Sequence, residues 1–189
     1  MSSPQPRKRG LTYGRLLTVM GAAIALAVIL AAVRAVIIAD HLSFAEIDFE
    51  RLVAASYDRT ELTRAELEKY RGASGKIQGT VIYVKTSEGH YAKLAVEFGY
   101  QFWNPTLQFV IYQGGVFDRQ GRRIGEPIYN KYMLLVQRFD IDAGRTVERG
   151  ASPEGVDLAF VERTVADQSL IAVNGAAFAL PKPEELRRR

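Results

Sequence analysis

The sequence predicts an α+β protein: a single N-terminal transmembrane helix, two short helices, then a β-dominated antiparallel sandwich or small barrel. Three observations carry this. Leu16 to Val33 is an uncharged apolar run, "LSFAEI" and "LTRAEL" are two matching helix starts, and from Lys76 onward apolar and polar residues alternate between turn signals. The boundaries that follow are a basic cytoplasmic N-terminus over 1–15, a transmembrane helix over 16–39, a helical linker over 40–75, a β-rich extracytoplasmic domain over 76–180 and a flexible tail over 181–189.

The apolar run reads "LLTVMGAAIALAVILAAV", and Leu16 to Arg34 covers roughly 27 Å as a helix, close to the roughly 30 Å of bilayer hydrocarbon. Arg34 therefore falls near the outer boundary. There a guanidinium either snorkels to the headgroups or pairs with a neighbouring subunit. The run is longer than a signal-peptide core, and its A-x-A at Ala25 to Ala27 lies mid-span, so an uncleaved signal anchor is expected. Small residues at Gly21 and Ala25 have the spacing that lets helices approach closely, which makes Gly21, Ala25 and Arg34 the expected helix-packing interface.

Charge sets the orientation. Arg7, Lys8, Arg9 and Arg15 precede the run, whereas Asp40, Glu46, Asp48 and Glu50 follow it, which places the N-terminus in the cytoplasm, against anionic headgroups, and the body in the periplasm of an inner (cytoplasmic) membrane. The net charge of +4 does not describe that body: Asp40 to Leu186 carries 17 basic and 21 acidic residues, a net −4, which argues against nucleic acid. The chain has no cysteine, so disulfides, thiolate metal sites and cysteine catalysis are excluded.

In "LSFAEI" and "LTRAEL" a Ser or Thr precedes Glu by three residues, with apolar residues outside the cap, the pattern of a capping box with a hydrophobic staple. Helices are expected from about Phe44 to Ala55 and from Arg64 to Arg71, the second ended by Gly72. Beyond them "YAKLAVEF" sets Ala92, Leu94, Val96 and Phe98 on one face of a strand. Further strands are expected at Ile77–Lys85, Leu107–Tyr112, Ile128–Phe139, Val156–Val161 and on both sides of Asn174-Gly175. "TSEGH", "QGG", "DRQGRR", "DIDAGR" and "SPEG" supply the turns, and Asn-Gly is a hairpin signal. The tail "PKPEELRRR" contains little to bury.

The chemistry-bearing residues are few. Of the two histidines, His41 lies beside the membrane and His90 in a turn, and their separation offers no metal-ligand spacing. "DIDAG" has the alternating carboxylates that open a calcium loop but lacks the third oxygen ligand and the distal Glu, so a hairpin turn accounts for it. No phosphate loop or G-x-S-x-G elbow is present. Neither catalytic residues, nor a metal, nor a cofactor is expected. The aromatic cluster Tyr100, Phe102 and Trp103 in "GYQFWNP", beside the Asn104-Pro105 turn, either caps the β core or anchors an interface, which makes these three the candidate partner contacts.

These parts together lead to an expected function: a non-catalytic single-pass accessory or scaffold subunit of a larger membrane complex, such as a respiratory or photosynthetic one, that binds other membrane-protein subunits. The alternative expectation is a membrane-tethered periplasmic ligand-binding or sensing domain, which an apolar pocket with convergent polar groups would favour.

Overall fold

The structure is a computed structural model, and it describes residues 13–39, 42–71, 77–101, 104–135, 137–148, 150–164 and 167–187. The chain divides into two compact units, Met1–Ala39 and Asp40–Arg189. The first holds one helix, α1 (Tyr13–Ala39), of 27 residues. Its described side chains, from Thr18 to Ala32, are all exposed. Among the described residues no helix is long and apolar enough to cross a membrane. Gly21 and Ala25 are among the exposed positions, and nothing lies within 4 Å of a Cβ built at Gly21. Arg34 belongs to α1, but its side chain lies outside the described ones, as does all of His41.

The second unit is β-rich, with few helices. It contains α2 (Phe49–Ala54), β1 (Glu61–Thr63), α3 (Arg64–Tyr70), β2 (Thr80–Lys85), β3 (Tyr91–Gln101), β4 (Asn104–Phe117), β5 (Arg123–Leu134), β6 (Arg138–Asp140), β7 (Arg145–Val147), β8 (Leu158–Thr164), β9 (Asp167–Ala172) and β10 (Ala177–Ala179). The strands form two five-stranded antiparallel sheets, one in the order β10-β2-β3-β4-β5 and one in the order β1-β9-β8-β6-β7.

The two sheets share one apolar core. Ala92, Leu94, Val96 and Phe98 enter it from β3, as the alternation requires, and meet Phe139, Leu158, Phe160 and Leu170 of the second sheet. Phe98 and Phe160 join the sheets with ring centroids 5.7 Å apart, and Phe109 lies 5.3 Å from Phe98. The opposite face of the first sheet is covered too. Val81, Tyr83 and Ala95 on that face pack with Ile47, Leu52 and Leu186, which come from the segments entering and leaving the body.

Several elements differ from the sequence reading for identifiable reasons. The first helix starts at Phe49, not Phe44, because Asp48 takes the N-cap and accepts from the Arg51 amide at 3.0 Å. Ser43 and Glu46 close only a single turn, the Ser43 amide donating to Glu46 Oε2 at 2.6 Å. The second helix has its full capping box, Thr63 with Glu66. "QGG" is not a turn but the middle of β4: a Cβ at Gly114 would fall 2.8 Å from Leu94 Cδ2 and 2.9 Å from Ile128 Cβ, so this glycine marks a close approach, beside a slip in register between Gly114 and Val116. The strand expected over Ile128–Phe139 is two, β5 and β6. Asn174 and Gly175, both with positive φ, carry the chain from one sheet to the other instead of closing a hairpin. At the C-terminus Leu186 is buried in a 3₁₀ turn, Pro183–Leu186, and its carbonyl accepts from the Leu42 amide at 2.8 Å, so this part of the segment read as a loose tail is docked.

Candidate functional site

Four connections meet at one end of the body, and a single buried carboxylate ties three of them. Asp157, fully buried just before β8, accepts from the Ser87 amide at 2.7 Å and hydroxyl at 2.9 Å through Oδ1, and from the Ile141 amide at 2.9 Å through Oδ2. Ser87 belongs to the β2–β3 turn and Ile141 to the β6–β7 turn. Asn174 adds the fourth connection, its Nδ2 donating to the carbonyls of Pro153 at 2.6 Å and Val156 at 2.9 Å. Burial pushes the Asp157 carboxyl above its ordinary range, the hydrogen bonds from Ser87 and Ile141 pull it back, and the charge of Asp142 raises it further.

This clamp sets His90 beside Asp142. His90 Nδ1 lies 2.9 Å from Asp142 Oδ1 and 3.8 Å from Glu88 Oε2, and the three donor groups fall within 4.8 Å of one another. The Asp142 side chain is only 9% exposed, whereas Glu88 is 54% exposed. Asp142 Oδ2 is buried and has no hydrogen-bond partner. Next to it Asp140 Oδ1 accepts from the Ala143 amide at 2.8 Å, and its Oδ2 lies 3.7 Å from Arg145 Nε. The Ser87 hydroxyl donates to Asp157, not to His90, so the imidazole activates no nucleophile there. In the sequence His90 and "DIDAG" belong to two separate turns, with His90 and Asp142 52 residues apart. The signal was present in both pieces, but only the packing of two hairpins joins them.

A second feature is the outer edge of the first sheet. Strand β5 pairs with β4 on one side and, among the described residues, with no strand on the other. Its second half exposes Tyr129, Tyr132 and Leu134 at 60%, 48% and 42%. The inward parity changes between Ile128 and Met133, around Asn130 at φ 47°, which leaves four consecutive residues outward. Of the expected aromatic contact residues, Tyr100 lies in β3 opposite Leu107, with its side chain outside the described ones, and Phe102 and Trp103 lie outside the described residues.

The covered outer face of the first sheet has a polar fastening. Lys93 projects from β3 away from the shared core, and its Nζ donates to the carbonyls of Ile47 at 2.6 Å, Phe44 at 2.7 Å and Ala45 at 3.4 Å. The Phe44 and Phe117 rings flank it at 5.0 and 5.8 Å. Burial, with Arg123 nearby, lowers this ammonium to about 8, so at neutral pH it is charged and holds the segment from Phe44 to Ile47 against the sheet. Beside this face a cleft of about 670 Å³ lies between α2 and the C-terminal segment, lined by Arg51, Arg59, Tyr83, Lys182 and Glu185 among others. The Tyr83 hydroxyl is buried there without a hydrogen-bond partner.

No protein-family model, no curated protein and no solved structure matches this chain.

Proposed function

We propose that the chain is a non-catalytic single-pass accessory subunit of a larger membrane complex, whose periplasmic body docks a strand of a partner subunit along β5. The observation that carries this reading is the open half of β5. Both faces of its sheet are covered, yet among the described residues no strand pairs with the outer side of β5 from Tyr129 to Tyr132, where two tyrosines stand exposed with Leu134 beyond them and Lys131 is the only charge. Edge strands are ordinarily blunted by charge, proline or a covering loop. In β5 Pro127 interrupts only the half before Tyr129, so the later half suits strand addition, in which main-chain hydrogen bonds supply affinity and alternate side chains supply selectivity.

The membrane setting rests on the sequence. The uncharged run from Leu16 to Val33 and the basic residues before it support an anchor with its N-terminus in the cytoplasm, and Gly21 and Ala25 support close packing against another helix. Two measurements test this. A reporter active only in the periplasm, fused after Arg189, is expected to work, and a cytoplasmic signal would contradict the placement. Gly21→Leu is expected to reduce recovery of partner subunits after gentle detergent extraction, and unchanged recovery would make the helix a tether only.

One observation favours a second reading, a membrane-tethered ligand-binding domain: the cleft that holds the unpartnered Tyr83 hydroxyl. A small molecule seated there would protect Lys182, exposed in the lining of the cleft, from acylation, whereas docking at β5 would not.

A further inference from the structure

The contact between His90 and Asp142 accounts for only part of its own geometry. One hydrogen bond at 2.9 Å satisfies Oδ1, but it leaves Oδ2 buried without a partner, and such a group is expensive unless something meets it. Negative charge also accumulates there. Glu88, Asp140, Asp142 and Asp157 converge, and the cations near them are few: Arg145 reaches only Asp140, at 3.7 Å and mostly in solvent, while the Arg119 guanidinium lies over Gly89. A carboxylate cluster of this kind in a tied loop scaffold calls for a counter-charge.

From this geometry we infer that Glu88, His90 and Asp142 form a binding site for a divalent transition-metal cation of the borderline class that Zn²⁺ represents. The donor set is one imidazole nitrogen and two carboxylates, which suits such a cation better than Mg²⁺ or Ca²⁺, whose sites are built from oxygen. The spacing fits as well. Around a tetrahedral ion with ligand distances of about 2.1 Å, donors lie about 3.4 Å apart, and the observed separations of 2.9 and 3.8 Å bracket that value. Asp142 is the buried ligand, and its free Oδ2 allows it to bind through either oxygen or both. Exposed Glu88 closes the site from the solvent side and leaves an entry path. Asp157 is a positioning residue: by holding Ser87 and Ile141 it fixes the two turns that carry the ligands.

The test uses the full chain in detergent micelles, stripped with a chelator and titrated with Zn²⁺ by calorimetry. One equivalent is expected to bind, and Zn²⁺ is expected to raise the melting temperature because it binds the folded state. His90→Ala and Glu88→Gln should each weaken binding at least tenfold. Glu88 is more than half exposed, so Glu88→Gln is expected to melt like the parent without metal, which separates loss of a ligand from loss of the fold. His41→Ala removes the only other imidazole and should change nothing. Co²⁺ in place of Zn²⁺ should give a ligand-field spectrum that disappears in His90→Ala. The inference is overturned if the parent takes up no Zn²⁺ saturably, if His90→Ala and Glu88→Gln bind as tightly as the parent, or if His41→Ala is the variant that loses binding. None of these outcomes bears on docking at β5.

Discussion

The first sheet is covered on both faces and open along one edge, and these regions are built differently. On the inner face Phe98, Phe109 and Phe160 close a buried apolar core between two sheets. On the outer face short segments from both ends of the body lie across the strands, held by Ile47, Leu52 and Leu186 and by a lysine that reaches three carbonyls. Along the second half of β5 nothing within the described residues completes the sheet. The lesson is that burial here is not graded outward from one centre. A face closed by strands, a face closed by fastened straps and an edge left unpaired have distinct energetics.

The largest expected effect is on the inner face. Phe160→Ala removes a ring that spans both sheets and is expected to destabilise the body by about 3–5 kcal/mol, read from the urea midpoint. A cost below about 1 kcal/mol would mean that the sheets do not share one core.

The outer face should respond less to truncation but more to pH. Lys93→Met leaves the carbonyls of Phe44, Ala45 and Ile47 without their donor, for an expected loss of about 1–3 kcal/mol at pH 7. The folded state holds this ammonium at about 8, below its ordinary 10.5. Below pH 8 both states carry the proton, and between 8 and 10.5 the unfolded state binds more protons than the folded one. The parent's stability relative to Lys93→Met should therefore rise with pH across that window and level off above it. A flat difference from pH 7 to 11 would contradict this account of the fastening.

What could be read from the sequence follows the same division. The inner face was legible because "YAKLAVEF" is buried on one side by a whole sheet, and such burial imposes strict alternation. The strap was not legible. Lys93 sits in an outward register, and its carbonyl acceptors lie more than 45 residues earlier, where "LSFAEI" has the signature of a helix but Asp48 wins the cap. The docking of Leu186 was hidden by its charged neighbours, since one apolar residue leaves no period to detect. Gly114 looked like a turn because glycine supplies both turns and close contacts, and only the packed Leu94 and Ile128 decide between them. At the loop end His90 and "DIDAG" each read as a turn, because contacts between two hairpins leave no trace in local spacing.

The smallest effect on stability is expected at the edge. Tyr129→Ser with Tyr132→Ser should change the urea midpoint by no more than about 0.5 kcal/mol, because these side chains are already in solvent. The same pair should remove partner subunits from the extracted complex. A large loss of stability would show instead that the edge belongs to the body's own fold.

The most direct measurement places a photo-activated cross-linking residue at Lys131, in the open half of β5, and at Lys69, exposed on α3, as the comparison, with both full-length variants kept in the membrane. The account predicts a discrete adduct with one membrane-complex subunit from position 131, lost when Tyr129 and Tyr132 are replaced by serine, and none from position 69. Adducts of equal yield from both positions, or none from 131 while the anchor is intact, would contradict the claim that β5 is where this body meets its partner.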